Sequence, residues 1–125
     1  NKFAQSSEEM KLAMQADYDR PDLIALSQLD DAAFRQFFAA TPVKRSGRDN
    51  FIRNVLIALG NMAQPEAAHI EAIEARLDDV SDVVRASAVW AMAQMDIAAN
   101  KTLAEKMRDD DSALVQQEVA ALADA

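Results

Sequence analysis

The chain contains no cysteine. Disulfides, thiolate zinc sites, cysteine nucleophiles and cysteine-held iron–sulfur clusters are therefore excluded within its 125 residues. Only 2 glycines and 3 prolines are present. A β-sandwich or barrel needs turn residues roughly every eight to twelve positions, so those folds are excluded as well. His69 is the one histidine. A metal site needs several converging ligands, so a surface role is expected for it. The longest apolar run, Ala88 to Ala93, is far short of the roughly 20 residues of a membrane-spanning helix, and no membrane partner is expected. No basic stretch followed by an apolar one marks a signal peptide, and a cytoplasmic location is expected. With Asn1 rather than Met at its start, the sequence reads as a piece of something longer.

What remains is rich in Ala, Leu, Met, Gln and Glu, all strong helix formers, and of a length for one domain. The expected fold is all-α. Residues 1–29 read as a linker with short helices, one of them capped by Ser6 or Ser7 and broken at Arg20-Pro21-Asp22. Residues 30–125 read as a helical repeat domain. Asp30 can cap a helix that places Phe34, Phe37 and Phe38 on one face before Thr41-Pro42 ends it. Phe51, Ile52, Val55, Leu56 and Leu59 follow helical spacing up to the stop signal Gly60-Asn61. Pro65 opens the next helix, with Ile70, Ile73 and Leu77 inward. Ser81 caps one with Val84, Ala88, Ala91, Met92 and Met95. Leu103 and Met107 mark another, and Leu114, Val119 and Leu122 the last, capped by Ser112.

The helices come in pairs. Ala58-Leu59-Gly60, Ala91-Met92-Ala93 and Ala121-Leu122-Ala123 recur at spacings of 33 and 30 residues, each near the end of the second helix of a pair. The unit Asp78-Asp79…Asp82-Val83-Val84-Arg85-x-x-Ala88-x-x-Ala91-Met92 resembles the HEAT repeat. One helix pair cannot bury its apolar face alone, so the expected architecture is a short α-solenoid of HEAT-like antiparallel pairs.

The net charge is −8, which taken whole argues against a nucleic-acid partner. Its distribution is uneven. Between Phe34 and Asn61 the charged residues are Arg35, Lys44, Arg45, Arg48, Asp49 and Arg53, a net +4, while the rest of the chain carries −12. Lys44, Arg45 and Arg48 precede or open a helix, and Arg53 follows within its first turns. Unpaired backbone N–H groups together with guanidinium groups suit a phosphate backbone, so these four are the candidate nucleic-acid-binding residues.

No other constellation carries chemistry. The Asp109-Asp110-Asp111 run lacks the alternate spacing and later glutamate of a calcium loop, and reads as a solvated turn that helps cap the last helix. There is no glycine-rich phosphate loop, nucleophile elbow or Ser/His/Asp set. Trp90, between Ala88 and Met92, reads as core filler, with base stacking as the minor alternative.

Phe34 to Gln94 includes Phe34-Arg35-x-x-Phe38…Val43-Lys44-Arg45…Gly47-Arg48…Phe51-Ile52-Arg53-Asn54-Val55-Leu56-Ile57-Ala58-Leu59-Gly60-Asn61…Val84-Arg85…Val89-Trp90-Ala91. This stretch resembles the C-terminal HEAT-like region of epoxyqueuosine reductase. Asn1-Lys2-Phe3-Ala4 resembles the residues just after that family's last cluster cysteine. The resemblance implies a parent enzyme, an oxidoreductase that uses cobalamin and two 4Fe–4S clusters to turn epoxyqueuosine into queuosine at the wobble position of tRNA. It places the cobalamin and ferredoxin-like domains, and the catalytic acid, N-terminal to this stretch. No catalytic residue and no cofactor therefore carry over to this chain. The implied partners are those N-terminal domains and the tRNA anticodon stem-loop, gripped through Lys44, Arg45, Arg48 and Arg53. The sequence departs from the family at Thr41-Pro42, where Ser-Ala is usual.

A non-catalytic tRNA-binding domain is thus the leading expectation, and a HEAT-type protein-interaction scaffold the alternative. The two differ in where the four basic residues fall: on one exposed face for RNA, or each against an acid of the next repeat for a scaffold.

Overall fold

A computed structural model describes residues 22–38, 47–95 and 99–122. These residues form seven α-helices and no strand. They are α1 (Leu23–Ser27), α2 (Asp31–Phe37), α3 (Arg48–Gly60), α4 (Ala67–Ala75), α5 (Asp82–Met95), α6 (Asn100–Met107) and α7 (Ala113–Leu122), with a 3-10 turn at Arg76–Asp78 after α4. The helix expected before Arg20 and the Thr41-Pro42 break lie outside the described residues. Among the described residues no helix is long and apolar enough to cross a membrane.

Local chemistry explains most of the boundaries. Asp22 and Asp30 cap α1 and α2 by accepting from the N–H groups of Ala25 and Ala33. Ser81 and Ser112 do the same for α5 and α7, through Val84 and Val115. Helix α4 starts two residues later than Pro65. Glu66 is its N-cap, and the Nδ1 of His69 accepts the N–H of Glu66 at 3.0 Å to close a capping box. The lone histidine thus serves the start of its own helix.

Helix α3 is the centre of the core. Phe51, Ile52, Val55, Leu56 and Leu59 are all fully buried, as their spacing implies. Helix α3 packs chiefly on α5, and α5 on α7; α1 lies against α3 and α4, and α6 against α7. Phe34, Phe38 and Phe51 cluster with ring centroids 5.0–5.5 Å apart. Two expectations differ from the outcome. Phe37 is 45% exposed, because α2 ends there and only one edge of this short helix meets the core. Leu114 is equally exposed, because α7 turns Val115 and Leu122 inward instead.

Gly60 permits the closest approach of α3 and α5. A Cβ there would lie 2.6 Å from the Trp90 ring and 3.1 Å from the Cα of Ala91. Trp90 itself is only partly buried and lies at the edge of the core, so the space it fills is the notch over Gly60. Gly60→Ala would gain helix propensity yet force the two helices apart. The expected net loss is about 1–3 kcal/mol, the usual cost of overpacking, read as a lowered thermal midpoint.

Candidate nucleic-acid interface

The structure separates the basic residues that the sequence groups together. Lys44 and Arg45 lie outside the described residues. Arg48 and Arg53 stand on α3 five residues apart, which places them on different faces of the helix.

Arg48 faces inward. Its Nη1 and Nη2 donate to the two carboxylate oxygens of Asp79, both at 2.7 Å. Its Nε donates to the Leu29 carbonyl at 2.7 Å, and Nη1 also reaches Asp49 at 3.2 Å. The side chains of Arg48 and Asp79 are 7% and 4% exposed. A guanidinium so engaged ties the turn before α2 to the turn before α5 and has little left to offer a phosphate. This is the acid-paired outcome, and the acid comes from the next helix pair.

The same device recurs further along the chain. Arg85 donates from Nε and Nη2 to Asp110, at 2.8 and 3.2 Å, and from Nη1 to the carbonyls of Asp79 and Val80. Each aspartate also accepts the N–H of a serine two residues later, Asp79 from Ser81 and Asp110 from Ser112, both at 3.0 Å. Asp110 is therefore an ion-pair partner as well as part of the turn before α7. Sequence reasoning missed these Arg–Asp links. The available signal was the Asp-x-Ser spacing shared by Asp79/Ser81 and Asp110/Ser112.

Both carboxylates titrate below the ordinary range. Burial pushes Asp79 upward, but hydrogen bonds from Arg48 and Ser81 and the charges of Arg48 and Arg76 outweigh it. For Asp110 the hydrogen bonds from Arg85 come first, against burial and with help from Ser112. In the unfolded chain these groups titrate near pH 3.9, roughly. The stability they add is present above that pH and is lost as pH falls through the lower folded-state values. Asp79→Asn and Asp110→Asn should therefore be less stable at pH 7, yet lose less than the parent chain on acidification below about pH 4. Chemical unfolding across a pH series reads this directly.

Arg53 is placed differently. It is half-buried, donates to the Asn54 side chain at 3.2 Å, and opens onto a cleft of about 330 Å³ between α3, α5 and α7. Among the described residues Arg35, Arg48, Arg76, Arg85, Lys106 and Arg108 each lie within 4 Å of a carboxylate, and Arg53 and Lys101 are in none of these pairs. The start of α3 also lacks a side-chain cap, since its N-cap is Gly47 with φ +83°.

The chain has no cysteine, and among the described residues no group of three or more His, Asp or Glu side chains is placed to hold a metal ion.

No protein-family model matches the chain, and no solved structure matches it. Curated proteins do. It is 36% identical over 94 residues to the epoxyqueuosine reductase of Xanthomonas campestris pv. campestris, covering 75% of this chain and 26% of that protein. It is 34% identical over 100 residues to that of Alicycliphilus denitrificans, covering 75% and 28%. It is 32% identical over 103 residues to that of Burkholderia pseudomallei, covering 74% and 25%. The chain spans about a quarter of the length of the curated relatives it matches. By these matches it belongs to the epoxyqueuosine reductase family, over that quarter-length stretch.

Proposed function

We propose that this chain is the non-catalytic tRNA-binding part of an epoxyqueuosine reductase. In this reading the helix pairs stack as a short HEAT-like solenoid that grips an anticodon stem-loop. The reduction takes place in N-terminal domains of the parent protein, which would carry the cobalamin and the two 4Fe–4S clusters. The observation that carries the reading is Arg53. On a chain of net charge −8 it belongs to no ion pair among the described residues, and it lies nine residues or fewer from Lys44 and Arg45. A cation left over in this way suits phosphates, which it positions without reading sequence. Arg48 belongs to the fold in this reading, and the grip falls to Lys44, Arg45 and Arg53.

A protein-interaction scaffold is the second reading, favoured by the Arg48–Asp79 pair between successive helix pairs. The discriminating experiment is tRNA binding by the protein with Lys44, Arg45 and Arg53 all changed to Gln. A several-fold loss supports the RNA grip. Unchanged tRNA binding together with loss of a protein partner supports the scaffold.

A further inference from the structure

Two arginines of α3 each donate to the side chain of the next residue. Nη1 of Arg48 reaches Oδ1 of Asp49 at 3.2 Å, and Nη1 of Arg53 reaches Oδ1 of Asn54 at 3.2 Å. The geometry is the same and the chemistry differs. Asp49 adds a second negative charge beside Arg48, which Asp79 already neutralises. Asn54 offers an oxygen at the same place with no charge. Arginine carries only donors, so the amide must turn its oxygen rather than its nitrogen toward Arg53. Successive residues of a helix point about 100° apart and do not ordinarily face each other. The bond therefore draws the long Arg53 side chain over toward Asn54 and limits the directions it can take.

We propose that Asn54 is a positioning residue of the RNA grip: its amide oxygen holds the Arg53 guanidinium in place for a phosphate and leaves the positive charge uncancelled. The proposal rests on the RNA-binding reading above and names what keeps that cation effective. A guanidinium ordered before binding loses less side-chain freedom when a phosphate arrives, which raises affinity. The bond to Asn54 uses one N–H of the fork, so the others remain for phosphate oxygens. An acid in place of the amide would hold the guanidinium as well but would cancel its charge, as happens at Arg48. Glu118 lines the same cleft as Arg53, so a guanidinium without its anchor has an acid to turn to instead.

The test is tRNA binding across a salt series by the protein and by its Asn54→Ala, Asn54→Asp and Arg53→Gln variants, with the Arg53→Gln, Asn54→Ala double variant beside them. Asn54→Ala is expected to weaken binding roughly two- to tenfold, the span for one side chain ordered in advance. The slope of log K against log salt should stay as in the parent, because Arg53 still meets its phosphate. Asn54→Asp should weaken binding further and flatten the slope by about one unit, because the local cation is then neutralised. With Arg53→Gln in place, Asn54→Ala should add nothing, since its effect runs through Arg53. A merely structural role would weaken binding in both backgrounds. Thermal midpoints of the variants report on the fold, and Asn54→Ala raises the helix propensity of its position. Asn54→Ala at the affinity of the parent overturns the proposal and leaves the RNA grip standing. A loss of the same size in the Arg53→Gln background does so too, and so does Asn54→Asp with the slope of the parent. Arg53→Gln with the affinity and slope of the parent overturns the grip at Arg53 and the proposal with it.

Discussion

Replacing Arg48 by alanine should cost about 3–5 kcal/mol, the usual loss when one partner of a buried ion pair is removed. The reason is what it leaves behind. Asp79 is 4% exposed at its side chain and would keep a buried carboxylate facing the space of a lost guanidinium. Arg76 reaches the same carboxylate at 3.2 Å, but with one N–H where Arg48 supplies two. The Leu29 carbonyl would lose its Arg48 donor as well. A domain of this size has about 5–15 kcal/mol of stability in total, so the variant should unfold at a much lower urea concentration. Arg48→Lys should not rescue it, since an ammonium cannot reproduce the planar fork that meets both carboxylate oxygens. Arg48→Met combined with Asp79→Leu should recover much of the loss, because it removes both charges and fills the space. Arg85→Ala should cost less, since Arg85 and Asp110 are 17% and 13% exposed at their side chains and water can partly replace the pair. An unfolding midpoint for Arg48→Ala equal to that of the parent chain would return Arg48 to the RNA-facing surface.

The residues show which parts of this molecule could be read from the sequence. The apolar face of α3 follows directly from its spacing, because a long helix buried along one side imposes its period on the sequence. The caps at Asp30, Ser81 and Ser112 were legible for the same local reason: donor and acceptor lie within one turn. Phe37 and Leu114 were not, because which edge of a short helix meets the core depends on neighbours far along the chain. The box between Glu66 and His69 has a readable spacing, but a histidine as its third residue is not the usual glutamate or glutamine.

Arg48 is the instructive case for the site. Lys44, Arg45, Arg48 and Arg53 form one basic group by sequence. The partner that draws Arg48 out of that group, Asp79, lies 31 residues away. No local pattern marks such a pair. Only the recurrence of an aspartate two residues before a capping serine, at Asp79 and Asp110, pointed to a turn that needs a cation.

Lys44, Arg45 and Arg53 are proposed to hold RNA phosphates, and the most direct test is the salt dependence of tRNA binding. Each phosphate neutralised by a cation releases counterions, so the slope of log K against log salt counts those contacts at somewhat under one per phosphate, roughly. The measurement compares the protein with its Lys44→Gln, Arg45→Gln, Arg53→Gln variant across a salt series, with Arg48 left in place to keep the fold. The variant is expected to bind more weakly whatever the loop sequence, with a slope flatter by about two to three units. A variant that binds tRNA with the affinity and the slope of the parent protein would contradict the account.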